Sequence, residues 1–137
     1  MSWSDRYIGL PYRDRGRDHD GADCWGLVRL VYREALAITL PSYLETYASL
    51  EERAEIAAAI GAKSARYPWR RIATGDARGF DLVLFQRGGI ADHVGIVVAP
   101  SAMLHVARGS EAVIAPYDET PWSGRLVGLY RHAAVPA

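Results

Sequence analysis

The stretch "HVGIVVAPSAMLHVAR", residues 93–108, decides how this chain folds. Two β-rich runs, His93–Ala99 and Ala102–Arg108, flank the turn signal Pro100-Ser101 and read as an antiparallel hairpin. Side chains alternate along a strand, so His93 shares a face with Gly95 and Val97, while Val94, Ile96 and Val98 point the other way. In the second strand His105 goes with Met103 and Ala107. If Val98 pairs with Ala102 across a three-residue loop, Ala99-Pro100-Ser101, His105 stands opposite Gly95. The two histidines are then diagonal neighbours on one face, roughly 7–8 Å apart at the backbone. A two-residue loop would put them on opposite faces. Val94, Ile96 and Val98 suit a core, which leaves the histidine face for a cleft.

Outward from the hairpin the same texture continues. Asp81–Gln86, Ala112–Tyr117 and Leu126–His132 are further short β-rich runs, separated by Gly88-Gly89, Gly109-Ser110 and Ser123-Gly124. Close spacing and short turns predict an antiparallel meander. Upstream the period changes. Cys24, Leu27, Val28, Val31, Ala35 and Ile38 follow the spacing of one buried helical face, with Arg29, Arg33 and Glu34 turned away. Asp20 or Asp23 can cap the start and Pro41 ends the segment. A second helix is expected from the Ser49-x-x-Glu52 capping box to Ile60, with Gly61 as its stop. Helices first and strands afterwards predict an α+β domain spanning residues 1–137, its N-terminal helices packed on one face of a C-terminal antiparallel sheet.

Composition bounds the function. Of 137 residues, 50% are apolar and 23% charged, with 16 basic and 16 acidic side chains. Zero net charge argues against nucleic acid or an anionic membrane surface as the main partner. No stretch has the ~18 apolar residues of a membrane span, and the start, "MSWSDRYIGLPYRDRG", lacks the apolar run of a signal peptide. The expectation is a protein made in the cytoplasm without membrane insertion. The alternating charges of Tyr12–Asp23 read as a solvated loop, or as groups lining a polar cleft.

The chain has one cysteine, Cys24, in "HDGADCWGLV" (residues 19–28). A lone cysteine is most often inert packing. This one opens a helix, where partial positive charge and N–H groups outside the helical ladder favour thiolate over thiol and can hold an oxyanion. A nucleophilic thiol needs a base, and the base needs a group to orient it. His93 and His105 lie in strands that fix their direction, His19 is a weaker candidate in the charged loop, and His132 reads as a surface residue.

"DCWGLV", followed by "DLVLF", "DHVGIVV" and "AMLHVARG", resembles the NlpC-type cell-wall peptidases, which are papain-like cysteine peptidases with a circularly permuted layout. The tryptophan variant "DCWGLVRLVY" looks most like the subgroup from phage tails and gene transfer agents. The resemblance implies Cys24 as nucleophile, His93 as general base and later acid, and His105 as the residue that orients His93. It matches Tyr12 to a tyrosine beside the nucleophile that helps the oxyanion, although an aromatic anchoring a loop is an equal reading. It matches Asp23 to a carboxylate that binds a stem-peptide amine, although a plain helix cap serves as well. Trp25 stands where relatives carry a serine that touches substrate, so Trp25 falls among the substrate-binding positions.

The implied reaction is hydrolysis of an amide bond in the peptide of peptidoglycan, at the γ-D-glutamyl–diaminopimelate bond. It runs through a thioester and needs no metal or other cofactor. The implied partners are the stem peptide and phage-like tail-tip proteins. The implied location is a particle tail that acts on the periplasmic wall during DNA entry. Three other readings keep the same residues: a zinc module on Cys24, His93 and His105, an inactive tail-tip structural protein, and a thioester-forming acyltransferase.

Overall fold

The computed structural model describes residues 2–40, 68–87 and 90–136. One α-helix, α1 (Cys24–Leu36), and a six-stranded antiparallel sheet make up the α+β architecture among these residues, as the sequence predicts. Two short strands precede the helix, β1 (Arg17–Asp18) and β2 (Gly21–Ala22). The sheet strands are β3 (Trp69–Ile72), β4 (Leu82–Arg87), β5 (Ile90–Ala99), β6 (Ala102–His105), β7 (Val113–Pro116) and β8 (Leu126–His132). The helix expected over Ser49–Ile60 and the Gly88-Gly89 turn lie outside the described residues.

The meander holds only in part. Strands β4 to β7 follow one another, but the sheet order is β3-β8-β4-β5-β6-β7. The last strand therefore crosses back to pair with β4, and β3 adds itself outside β8. Nothing in the local pattern of "WRRI" announces β3. Its buried positions are Trp69 and Ile72, with two exposed arginines between, so the alternation that signals a strand is missing.

The decisive hairpin departs from both sequence alternatives. Ala99 pairs with Ala102, so the loop is the two residues Pro100-Ser101, closed by Ser101 at φ 68°. Val98 is then bulged out, and the pairs Val97↔Met103 and Ile96↔Leu104 restore the register of the three-residue loop. Continuing that register sets His105 opposite Gly95. The bulge repairs the parity that the short turn would have broken.

Helix α1 begins where expected. Asp23 is the N-cap, its carboxylate accepting the Gly26 N–H at 2.7 Å. The helix stops at Leu36, before Pro41, because Ala37 turns left-handed at φ 56° and Ile38 N–H closes back on Tyr32 O at 3.1 Å. Its buried surface is wider than one face. Trp25, Leu30 and Tyr32 are buried along with Leu27, Val28 and Val31, while Ala35 is exposed. The N-terminal segment supplies the cover, since Tyr7 and Leu10 belong to the same core. Arg29, expected to turn outward, is half-buried and donates to Leu40 O at 2.9 Å.

The sheet carries a core on each face. Helix α1 packs with Leu82, Leu84, Val94, Ile96, Leu104 and Tyr130. The other face holds a smaller cluster that includes Val83, Phe85, Val97, Met103, Tyr117 and Leu129, with Trp122 against it. At the far end of β8 the buried Asp81 accepts two hydrogen bonds from Arg131, both at 2.8 Å, and ties the turn before β4 to β8.

Candidate active site

The charged stretch before α1 is not simply solvated. Strands β1 and β2 fold it into a tight hairpin, and Arg17 lies largely buried with its Nη1 on Asp23 Oδ1 at 2.7 Å. Asp23, only 5% exposed, therefore holds both a backbone N–H and a guanidinium on one oxygen. Of its two expected roles, the geometry carries the helix cap. Gly26 makes the arrangement possible, because a Cβ there would run into the Gly16 carbonyl oxygen.

Cys24 follows as the first helical residue, half-buried against the main core. Its own N–H and that of Trp25 lie at the mouth of the helix, where anions are favoured. Tyr12 is held beside this end by a bridge to Ala22 and by its N–H on Ser110 O at 3.0 Å. Desolvation pushes its phenol up to about 12; nearby Arg108 opposes this, and the charges of Asp23 and Cys24 add to it. The hydroxyl is thus a donor at neutral pH. Trp25 is 2% exposed, which places its ring in the core rather than on a surface a substrate would meet.

The two histidines come together. His93 Nε2 and His105 Nδ1 are 2.9 Å apart, with the rings at 84° to each other. His93 lies on β5, the strand against which α1 packs, and its neighbour Val94 belongs to the core that Cys24 packs on. Strand β6 stops at His105, so the start of β5 runs on past it. Burial lowers the His105 pKa to about 4, so this imidazole is neutral near pH 7. The histidine face is no bare cleft. Phe85 stands opposite His93, and Trp122 packs on both imidazoles.

The remaining histidines have other work. His19 is paired with Glu34 at 2.9 Å and stacked on Tyr7. Glu34 lies ten residues along the helix from Cys24, about 15 Å at 1.5 Å per residue, so His19 does not serve the thiol. His132 is half-buried, edge-on to Tyr32 and Trp69, and its Nδ1 accepts the Ala134 N–H at 3.0 Å. Among the described residues no group of three His, Cys, Asp or Glu side chains could hold a metal ion, so the zinc alternative has no ligand set there. No helix among them is long and apolar enough to cross a membrane.

The NlpC/P60 family model matches residues 9–131. The chain belongs to the NlpC/P60 family. It is 31% identical over 117 residues to murein DD-endopeptidase MepS/murein LD-carboxypeptidase of Escherichia coli (strain K12), covering 85% of this chain and 53% of that protein. It is 30% identical over 135 residues to gamma-DL-glutamyl hydrolase of Bacillus subtilis (strain 168), covering 93% of this chain and 27% of the relative. The chain thus spans about half the length of these relatives or less. The fold matches the solved NlpC/P60 family protein from Bacillus cereus with a TM-score of 0.69 at 19% identity, over 95% of this chain and 38% of that one. It also matches the NlpC/p60 domain of the peptidoglycan hydrolase SagA, with a TM-score of 0.58 at 22% identity, over 85% of each chain. The α+β domain is thereby a papain-like fold of the NlpC/P60 kind.

Trp122 and Arg17 were not singled out by the sequence. Trp122 sits in the turn-rich "TPWSG", where no periodicity assigns it a face, and Arg17 is one of three arginines in an alternating charge run.

Proposed function

We propose that this NlpC/P60 domain is a thiol hydrolase cleaving an amide bond in the peptide of peptidoglycan, with Cys24 as nucleophile, His93 as base and His105 orienting His93. The observation that carries the reading is the His93–His105 hydrogen bond, on the strand packed by the helix that Cys24 opens. The mechanism uses the tautomer in which neutral His105 accepts through Nδ1 and His93 carries its resting proton on Nε2, which leaves His93 Nδ1 to take the thiol proton. The thiolate attacks the carbonyl carbon, while the N–H groups at the start of α1 and the Tyr12 hydroxyl receive the oxyanion. The imidazolium protonates the leaving amine, giving a thioester and a free amine. Water, deprotonated by His93, then releases the carboxylate and restores the thiol.

The bond we assign is γ-D-glutamyl–diaminopimelate. Similarity to a protein named gamma-DL-glutamyl hydrolase supports it, while the name of MepS points to a DD bond, so the bond is the readout that matters. Delivery by a phage-like tail, in contact with tail-tip proteins, rests on the tryptophan variant "DCWGLVRLVY" alone.

Digestion of purified sacculi by the wild type and by Cys24→Ala, with mass analysis of the products, tests the reading. Soluble muropeptides cut at the γ-glutamyl bond are expected from the wild type and none from the variant. A folded wild type that releases nothing overturns the hydrolase assignment, and cuts in the glycan overturn the bond class.

A further inference from the structure

We propose that Trp122 is a positioning residue for the histidine pair: its indole fixes the planes of His93 and His105 and keeps water off the hydrogen bond between them. The inference rests on His93 being the base. Its own observation is a ring cluster. The Trp122 ring lies 4.9 Å from His93, nearly parallel at 23°, and 4.9 Å from His105, edge-on at 80°. It also lies 4.9 Å from Phe85, which stands opposite His93 in the sheet. One indole thus touches both imidazoles and the side chain at the foot of the pair. Neither ring can swing about its χ2 without leaving that contact.

The indole is itself held. Arg125 sits over its ring at 4.9 Å and donates from Nε to Gln86 O on β4 at 3.2 Å, which pins the turn to the sheet. Within the turn Ser123 N–H bonds to Glu119 O at 3.0 Å and Arg125 N–H to Trp122 O at 2.9 Å. Trp122 itself remains half-buried.

Two physical consequences follow. A stacked indole face attracts a cation, so it favours the imidazolium that pairs with a thiolate. Cover over a hydrogen bond strengthens it by lowering the local dielectric. Both act on His93 and, through it, on the ionisation of Cys24. The other groups around this end are His105, Tyr12, Asp23 with Arg17, and Arg125. None of them is altered in the test variants.

Alkylation of Cys24 by iodoacetamide, followed from pH 5 to 9, reads the effect without any wall substrate. In Trp122→Leu, where aliphatic bulk replaces the π face, the rate near pH 6 should fall ~10–100-fold, the scale of a misplaced catalytic group. The pH midpoint should move up toward the ordinary thiol value of ~8.5. Trp122→Phe should fall between the two, with melting temperatures read alongside, because a merely structural role would move stability and leave the midpoint alone. A parental midpoint in Trp122→Leu overturns the proposal. If that variant does not fold, Trp122→Phe decides by the same criterion. His93→Ala separates the two layers of inference. If His93→Ala also keeps the parental profile, the base assignment has failed; if it loses the profile while the Trp122 variants keep it, only the role of Trp122 has failed.

Discussion

His105 is kept neutral by burial, and its pKa lies near 4 in the folded chain against about 6.5 when unfolded. Above pH 6.5 neither state is protonated and the residue has no effect on stability. Between pH 6.5 and 4 the unfolded chain binds a proton that the folded chain refuses, so stability falls as pH falls. The loss reaches about 3 kcal/mol at most, from 1.36 kcal/mol per pKa unit. Thermal melts of the wild type should decline across that window, and His105→Asn, which keeps a polar group but does not titrate, should flatten this part of the slope. An unchanged slope in His105→Asn would remove His105 as the cause. At this scale the sequence is eloquent where types are rare and directions are fixed: one cysteine at a helix start and two histidines in a hairpin. It says little where a residue acts through tertiary contact. The indole of Trp122 reaches His93 and His105 from the loop before β8, on the same face of the sheet, and no spacing along the chain encodes that reach.

Elements were legible where their pattern is periodic. The strands β4 to β8 are legible because β-rich runs lie between turn residues, and α1 because an aspartate, Asp20 or Asp23, precedes an apolar helical face; the structure makes it Asp23. Register and order were not. The bulge at Val98 depends on how tightly Pro100-Ser101 closes, and the return of β8 beside β4 depends on pairing across 41 to 48 residues. The β1–β2 hairpin hid inside a charge run, yet the chain leading into it sits tightly on α1, with Gly26 against the Gly16 carbonyl. Its closeness to the helix gives a prediction about Gly26. A methyl group there would meet the Gly16 carbonyl and come within 3.0 Å of both Arg17 Nη1 and Asp23 Oδ1. Backbone cannot yield as a side chain would, so Gly26→Ala should lose ~1–3 kcal/mol by overpacking. The same change would spread the Arg17–Asp23 pair that caps the helix. Chemical denaturation should show the midpoint lowered at constant slope. A midpoint equal to the wild type would mean that the hairpin is not seated on the helix as described.

At the scale of the whole molecule, the two cores share one sheet. Leu82 and Leu84 face α1, while Val83 and Phe85, between and beside them on the same strand, face the smaller cluster with Trp122. Strand β6 repeats the division, with Leu104 toward the helix and Met103 away from it. Neither core can be dismantled without breaking strands that the other requires, so we expect the described residues to melt as one cooperative unit. Leu104→Ala and Met103→Ala should each cost ~2–5 kcal/mol, the range for truncating a buried aliphatic side chain. Both should lower the midpoint of the same transition, not of separate ones. Trp25 and Trp69 belong to the main core with Trp3 packed against it, and Trp122 packs against the second, so the two faces carry separate fluorophores. Fluorescence of Trp122→Phe, and of a variant that keeps Trp122 alone of the four, should each coincide with the far-ultraviolet circular dichroism of the sheet and helix. Separate transitions, with the Trp122 signal lost first, would mean that the histidine face melts on its own and that the sheet does not bind the two cores into one unit.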